Sequence, residues 1–153
     1  MSDLVSQADM IRSMSLEAID RVRAFEDITA QMEQADIVTW HVLHGGMYSR
    51  TIEIPAGVVL TGALVKVPTT LVVNGDVSVF ANDREVRITG HAVIPASANR
   101  KQAFIAHDNT WLTMTFKTDA STIEAAEDEF TEEADRLMSR HEMATNHINI
   151  TGE

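Results

Sequence analysis

Six residues of this chain have the charge or the lone pair that binding chemistry needs: His41, Tyr48, Arg50, Lys66, Arg100 and Lys101. Arg50, Lys66 and Arg100 lie in or beside strand-like stretches, and their side chains are long enough to meet at the mouth of a barrel. Three fixed cations gathered in a chain of 12 basic and 23 acidic residues would be a concentration of charge suited to an anion. A guanidinium grips carboxylate or phosphate with two prongs, which orients as well as attracts. The bland alternative is that each cation offsets nearby Asp and Glu on the surface. Lys66 fits that alternative best, because its neighbours Val65 and Val67 would then point inward. Arg100 and Lys101 follow a Pro-Ala-Ser-Ala-Asn turn and precede the strand Gln102 to Ala106. Strand alternation sends neighbours to opposite faces, so only one of the two is expected to point inward.

His41 and His44 bracket Val42 and Leu43 ahead of Gly45-Gly46. Three residues apart on a regular strand, the two imidazoles face opposite ways, and chelation by the pair needs a bend that the glycines could supply. With His91 and His107 they make one possible histidine metal site, since ligands converge from distant segments. Scattered histidines at strand ends are the competing reading. His141 and His147 carry no signal. The acidic run EAAEDEFTEEAD reads as a solvated helix face and not as an acid/base pair. The chain has no cysteine, which removes thiolate chemistry and disulfides.

The elements that must position these residues fall into three zones. With 153 residues the chain makes one domain with a real core. Residues 1–35 are expected to hold a long N-terminal helix: from about Val5 to Gln34 there is no Pro or Gly, and Ile11, Met14, Ala18, Val22, Phe25 and Met32 recur at helical steps. Residues 37–117 change to short β-branched runs, IVTWHV, TIEI, LVV, VSVF, EVRI and LTMTF, punctuated by turn residues, as in a compact sandwich or barrel. Residues 120–141 predict a second amphipathic helix opened by a capping box of Ser121 and Glu124, and residues 142–153 a loosely ordered tail. The net charge of -11 disfavours nucleic acid and anionic membrane. The acidic start MSDLVSQADM is not a secretory signal, and the apolar run Ile54 to Val65 is too short to span a bilayer.

The β zone resembles the cupin family, jelly-roll barrels built around two motifs. LVVNGDVSVF, Leu71 to Phe80, matches the end of the first motif with Gly75 at its turn, and IPAGVVLTG, Ile54 to Gly62, matches the strand that precedes it. In TGHAVIPASANRKQAF, Gly90, Pro95 and Ser97 match the second motif. The resemblance places the family's His-x-His pair and Glu near Gly62, Leu64 and Pro68, and its last histidine at Arg100, so all four metal ligands are missing. A guanidinium only donates and repels a dication, so a site rebuilt around Arg100 favours an anion. By the same correspondence Arg100 is the inward member of the Arg100-Lys101 pair.

HVLHGGMYSRTIEIPAG with VIPASANRKQAFIAH is further similar to small cupin-like proteins encoded by tailed bacteriophages. The resemblance implies a mainly β, cupin-like jelly-roll barrel with a helix at each end, in the host cytoplasm or in a virion. Amphipathic helices beyond what one barrel needs imply a homo-oligomer. The expected role is non-catalytic: capture of a small anionic ligand such as a nucleotide or sugar phosphate, or structural assembly with another virion protein, with no cofactor. The alternative is an enzyme, either a cupin with displaced histidine ligands or a metal-independent sugar-nucleotide isomerase or epimerase. His41 as base and Tyr48 as acid would serve the latter.

Overall fold

Local chemistry starts and stops the elements. A computed structural model describes residues 10–153. Helix α1 is Leu16–Thr29, shorter than the periodicity suggests, because Ser15 breaks the pattern as an N-cap: its side chain accepts from the Ala18 N–H at 3.1 Å. Residues 10–15 are not helical, and the part of the expected helix before Met10 lies outside the described residues. Ile11 makes a parallel bridge to Ala96, and Met14 N–H donates to the Asn99 carbonyl, so this arm is strapped along the chain that leads into Arg100.

Strands β1 (Thr39–His44), β2 (Met47–Ile54), β3 (Val59–Thr61), β4 (Thr69–Ala81), β5 (Arg84–Ala96), β6 (Ala103–Ala106), β7 (Thr110–Lys117) and β8 (Asn146–Ile150) form one curled sheet in the order β3-β6-β4-β7-β2-β1-β8, with β5 on β4. The chain is therefore mainly β, a curled half-barrel with a helix near each end, as its sequence leads one to expect. The β4–β5 hairpin turns at Asn82 and Asp83, both at positive φ (48° and 63°), the geometry of a two-residue turn matched to strand twist.

Gly75 is not the turn that the motif places there; it is the corner of the sheet inside β4. Residues before it, Thr70 to Asn74, pair with β7, and those after it, Val77 to Phe80, pair with β6. Its φ is +146°, and a Cβ would stand 2.5 Å from Thr110 Oγ1 and 2.7 Å from the Asn109 carbonyl oxygen, so only glycine lets β7 begin this close to the bend.

Helix α2 (Ile123–Phe130) is capped by Thr122, one residue later than the expected box, with the Thr122 side chain accepting from Ala125 N–H. It ends at Phe130, and the rest of the predicted helix is two short 3-10 turns, Ala134–Arg136 and Met138–Arg140. The expected loose tail is instead β8, parallel to β1 from Thr39↔Asn146 to Leu43↔Ile150. Three cores result among the described residues. Ile54, Val73, Val77, Ile94 and Phe104 fill the curl, Leu43, Tyr48, Phe116, Ala126 and Phe130 join the sheet to α2, and Met14, Ala18 and Ile19 seat α1 and the arm before it. No helix among the described residues is long and apolar enough to cross a membrane.

Candidate functional site

The curl holds a cavity of about 150 Å³ that is open on one side. Its walls are mostly apolar, with Ile52 from β2, Leu60 from β3, Leu71 from β4, Phe104 from β6, and Leu112 and Met114 from β7. Set into them are Thr39, Arg50, Arg100, Lys101 and Gln102, with Glu26, Glu133 and Arg136 where α1 meets the 3-10 turns. Arg136 is the one exposed lining residue, which marks the side that approaches solvent.

Arg100 and Lys101 both face inward, against the expected alternation. The reason is local: this segment is not a strand but an isolated bridge, Val65↔Arg100, entered through Asn99 at φ +63°. Asn tolerates that left-handed turn, and the backbone then leaves the pleat that alternation requires. For this pair the alternative of a surface position is also corrected, since Arg100 is 3% exposed and Lys101 1%.

Their surroundings differ. The Lys101 ammonium donates to Glu26 at 3.0 Å, Glu133 at 2.9 Å and the Gly62 carbonyl at 3.0 Å, using all three hydrogens. Burial pushes the Glu133 carboxyl up, but donation from Leu64 N–H and Lys101 outweighs it and holds the group below the usual range. Arg100 donates to the Ser97 carbonyl at 2.6 Å and to Thr69 Oγ1 at 2.8 Å, both neutral. No carboxylate pairs with it among the described residues. Burial lowers its pKa to about 10, which leaves it a cation at neutral pH. Three buried polar atoms lack a protein partner among the described residues, Arg100 Nε, Gln102 Nε2 and Thr39 Oγ1, and all three residues line this cavity.

Arg50 reaches the cavity wall but is spoken for. It donates to Glu127 at 2.7 Å, to Ser139 Oγ at 2.9 Å and to Tyr48 Oη at 3.3 Å, and it lies over the Phe130 ring. Glu127 also accepts from Ser139 and Arg140. Burial raises the Glu127 carboxyl, but these hydrogen bonds and the Arg50 charge hold it below its ordinary value. The acidic face of α2 is thus not wholly solvated, as Glu127 is 2% exposed.

His41 and Tyr48 do meet, with Nδ1 and Oη 2.7 Å apart. Asn146 Nδ2 donates to the Ser139 carbonyl and its Oδ1 can only accept, so His41 Nε2–H donates to it at 2.6 Å and Nδ1 is left to accept from the Tyr48 hydroxyl. Both ring nitrogens are thereby used, burial lowers the imidazole pKa, and burial raises the Tyr48 phenol to about 12. Neither residue lines the cavity.

The remaining candidates are dispersed. Lys66 is outside the cavity, 3.7 Å from exposed Glu132. His44 contacts Thr151, His107 contacts Ser78, and His91 is exposed on β5. Among the described residues no three of His, Asp and Glu are grouped to hold a metal. Arg50, Lys66 and Arg100 do not form a set of free cations; Arg100 alone is uncompensated.

Sequence reasoning missed Thr39, Gln102, Glu26, Glu133 and Glu127. Glu127 had a legible signal: Ile123, Ala126, Glu127 and Phe130 follow the three- and four-residue steps of one helix face, so a carboxylate there enters the core.

No family model matches the chain, and no curated protein does. Among solved structures it is similar to a cupin superfamily protein from Desulfitobacterium hafniense, at 9% identity over 60% of this chain and 88% of that one, with a TM-score of 0.47. It is also similar to a cupin 2 conserved barrel domain protein from Leptotrichia buccalis, at 17% identity over 61% and 46% of the two chains, TM-score 0.46. A third is ectoine synthase from P. lautus, at 15% identity over 65% and 76%, TM-score 0.48. These are likenesses of overall trace, and none carries a site residue to this chain.

Proposed function

We propose that this protein is a non-catalytic binder of a small anionic ligand held in the cavity of the curled sheet. One observation carries this reading: among the described residues, Arg100 is a buried cation on the cavity wall with only neutral partners and an Nε–H that has none. Burying an unpaired charge costs several kcal/mol, so proteins pair such groups or neutralise them. Here the cavity leaves room for the missing counter-charge to come from a ligand. The acid/base candidates His41 and Tyr48 are consumed in a closed network away from the cavity, which supports binding over catalysis.

The test is thermal stabilisation of wild type and Arg100→Gln by a panel of small anions. An anion that recognises the site raises the wild-type melting temperature with concentration. The variant should bind it roughly ten- to a hundredfold more weakly, the equivalent of one charge-assisted hydrogen bond of about 1.5–3 kcal/mol. A panel without effect on wild type, or with equal effect on a folded Arg100→Gln, rejects the proposal.

A further inference from the structure

We infer that the ligand is a compact monocarboxylate: one carboxylate on an uncharged apolar body about the size of a benzene ring. This rests on the anion-binding reading and adds the chemical class. The unpartnered polar atoms set the head group. Arg100 Nε and Gln102 Nε2 are donors two residues apart on one segment, and Thr39 Oγ1 is a hydroxyl that can also donate. Arg100 and Gln102 both line the cavity, and each has a donor nitrogen with no partner among the described residues, which suits a small group with two acceptor oxygens such as a carboxylate.

Charge decides against phosphate. Arg100 is one uncompensated positive charge, whereas Lys101 is already matched by Glu26 and Glu133 on the same wall. A monocarboxylate balances Arg100. A phosphate monoester carries about 1.5 to 2 negative charges at neutral pH and would be buried with an excess that faces two carboxylates.

Size and wall chemistry set the body. A dry apolar cavity of about 150 Å³ is enough to hold benzene, and each water in the liquid occupies about 30 Å³. The present cavity has about that volume, and Ile52, Leu60, Leu71, Phe104 and Leu112 offer a carbon body contact without asking it for hydrogen bonds. A nucleotide or a sugar phosphate would overfill this volume, and hydroxyls spread around its body would face Ile52, Leu60, Leu71, Phe104 and Leu112, which neither donate nor accept.

Calorimetric titration of the full chain with benzoate and hexanoate, their amides, inorganic phosphate and glucose 6-phosphate tests this without needing any variant. Benzoate or hexanoate should bind at least tenfold more tightly than its amide, and the two phosphates should bind more weakly than either carboxylate. Thr39→Val and Gln102→Met, each checked for fold by circular dichroism, should weaken the carboxylate about three- to tenfold. Binding of phosphate in preference to both carboxylates would overturn the monocarboxylate assignment while leaving an anion site in place. An amide that binds as well as its acid would overturn recognition of charge. No binding by any of the six compounds would overturn both readings.

Discussion

Two buried arginines on the same cavity wall have opposite surroundings. Arg50 has a carboxylate, a hydroxyl, a phenol and an aromatic face around it, and every member of its network has a partner in turn. Arg100 has a carbonyl, a hydroxyl and an unpartnered Nε–H. The first joins β1, β2, α2 and, through Asn146, β8 into one body. The second is left incomplete by the protein itself. Both are arginines and both are buried, so the presence or absence of an acid partner among the described residues is what separates a structural arginine from the proposed binding one.

The largest break in this comparison comes from Glu127→Ala. It leaves Arg50 buried without its counter-charge and should cost about 3–5 kcal/mol. In a chain of this size that is a fall of roughly 6–20 °C in melting temperature. A loss under about 1 kcal/mol would mean that the network tolerates an empty place as Arg100 does.

Acid attacks the same network through His41. Its folded pKa lies below the ordinary 6.5, so its contribution is complete above that pH. It is lost as pH falls, because the unfolded chain takes up a proton that the folded site resists. Urea midpoints measured from pH 8 to pH 5 should fall below pH 6.5, and His41→Gln should flatten that part of the profile. A profile unchanged by the substitution would remove His41 from the explanation.

Arg100→Met should be far milder than Glu127→Ala in the ligand-free protein, at most about 1–2 kcal/mol. The uncompensated charge leaves with the side chain and offsets the two acceptors that it abandons. Chemical denaturation of the two variants side by side measures the difference directly; equal losses would erase the distinction between the arginines. Thr39→Val removes an unpartnered hydroxyl in favour of a methyl of similar shape, so the ligand-free variant should be at or above wild-type stability by up to about 1 kcal/mol. Lys66→Ala breaks an exposed ion pair and should stay within about 0.5 kcal/mol of wild type, as judged by the same denaturation curves.

Local sequence was enough for the mainly β middle, the apolar face of α2 and the candidacy of Arg100, but on the expected N-terminal helix it placed Phe25 and Met32 on a buried face, whereas both are exposed and only Ala18 and Ile19 of α1 are buried. What it determined follows from local rules: β-branching, periodicity and a motif position. It misplaced what depends on distant neighbours. The helical periodicity runs on through Ser15, but its side chain caps α1 and its N–H is taken by Asn82 of the β4–β5 turn, which holds the preceding residues out of the helix. The segment HINI reads as a tail until β1 offers it an edge. Gly75 reads as a turn until Thr110 is found where its Cβ would be. The motif position set Arg100 apart as a candidate, but nothing in the sequence said which of Arg50 and Arg100 would find an acid partner. Folding brought Glu127 from 77 residues away to one of them and, among the described residues, brought no carboxylate to the other. The energy of a buried charge depends on what lies within a few ångströms of it, and in a curled sheet those neighbours come from remote parts of the chain.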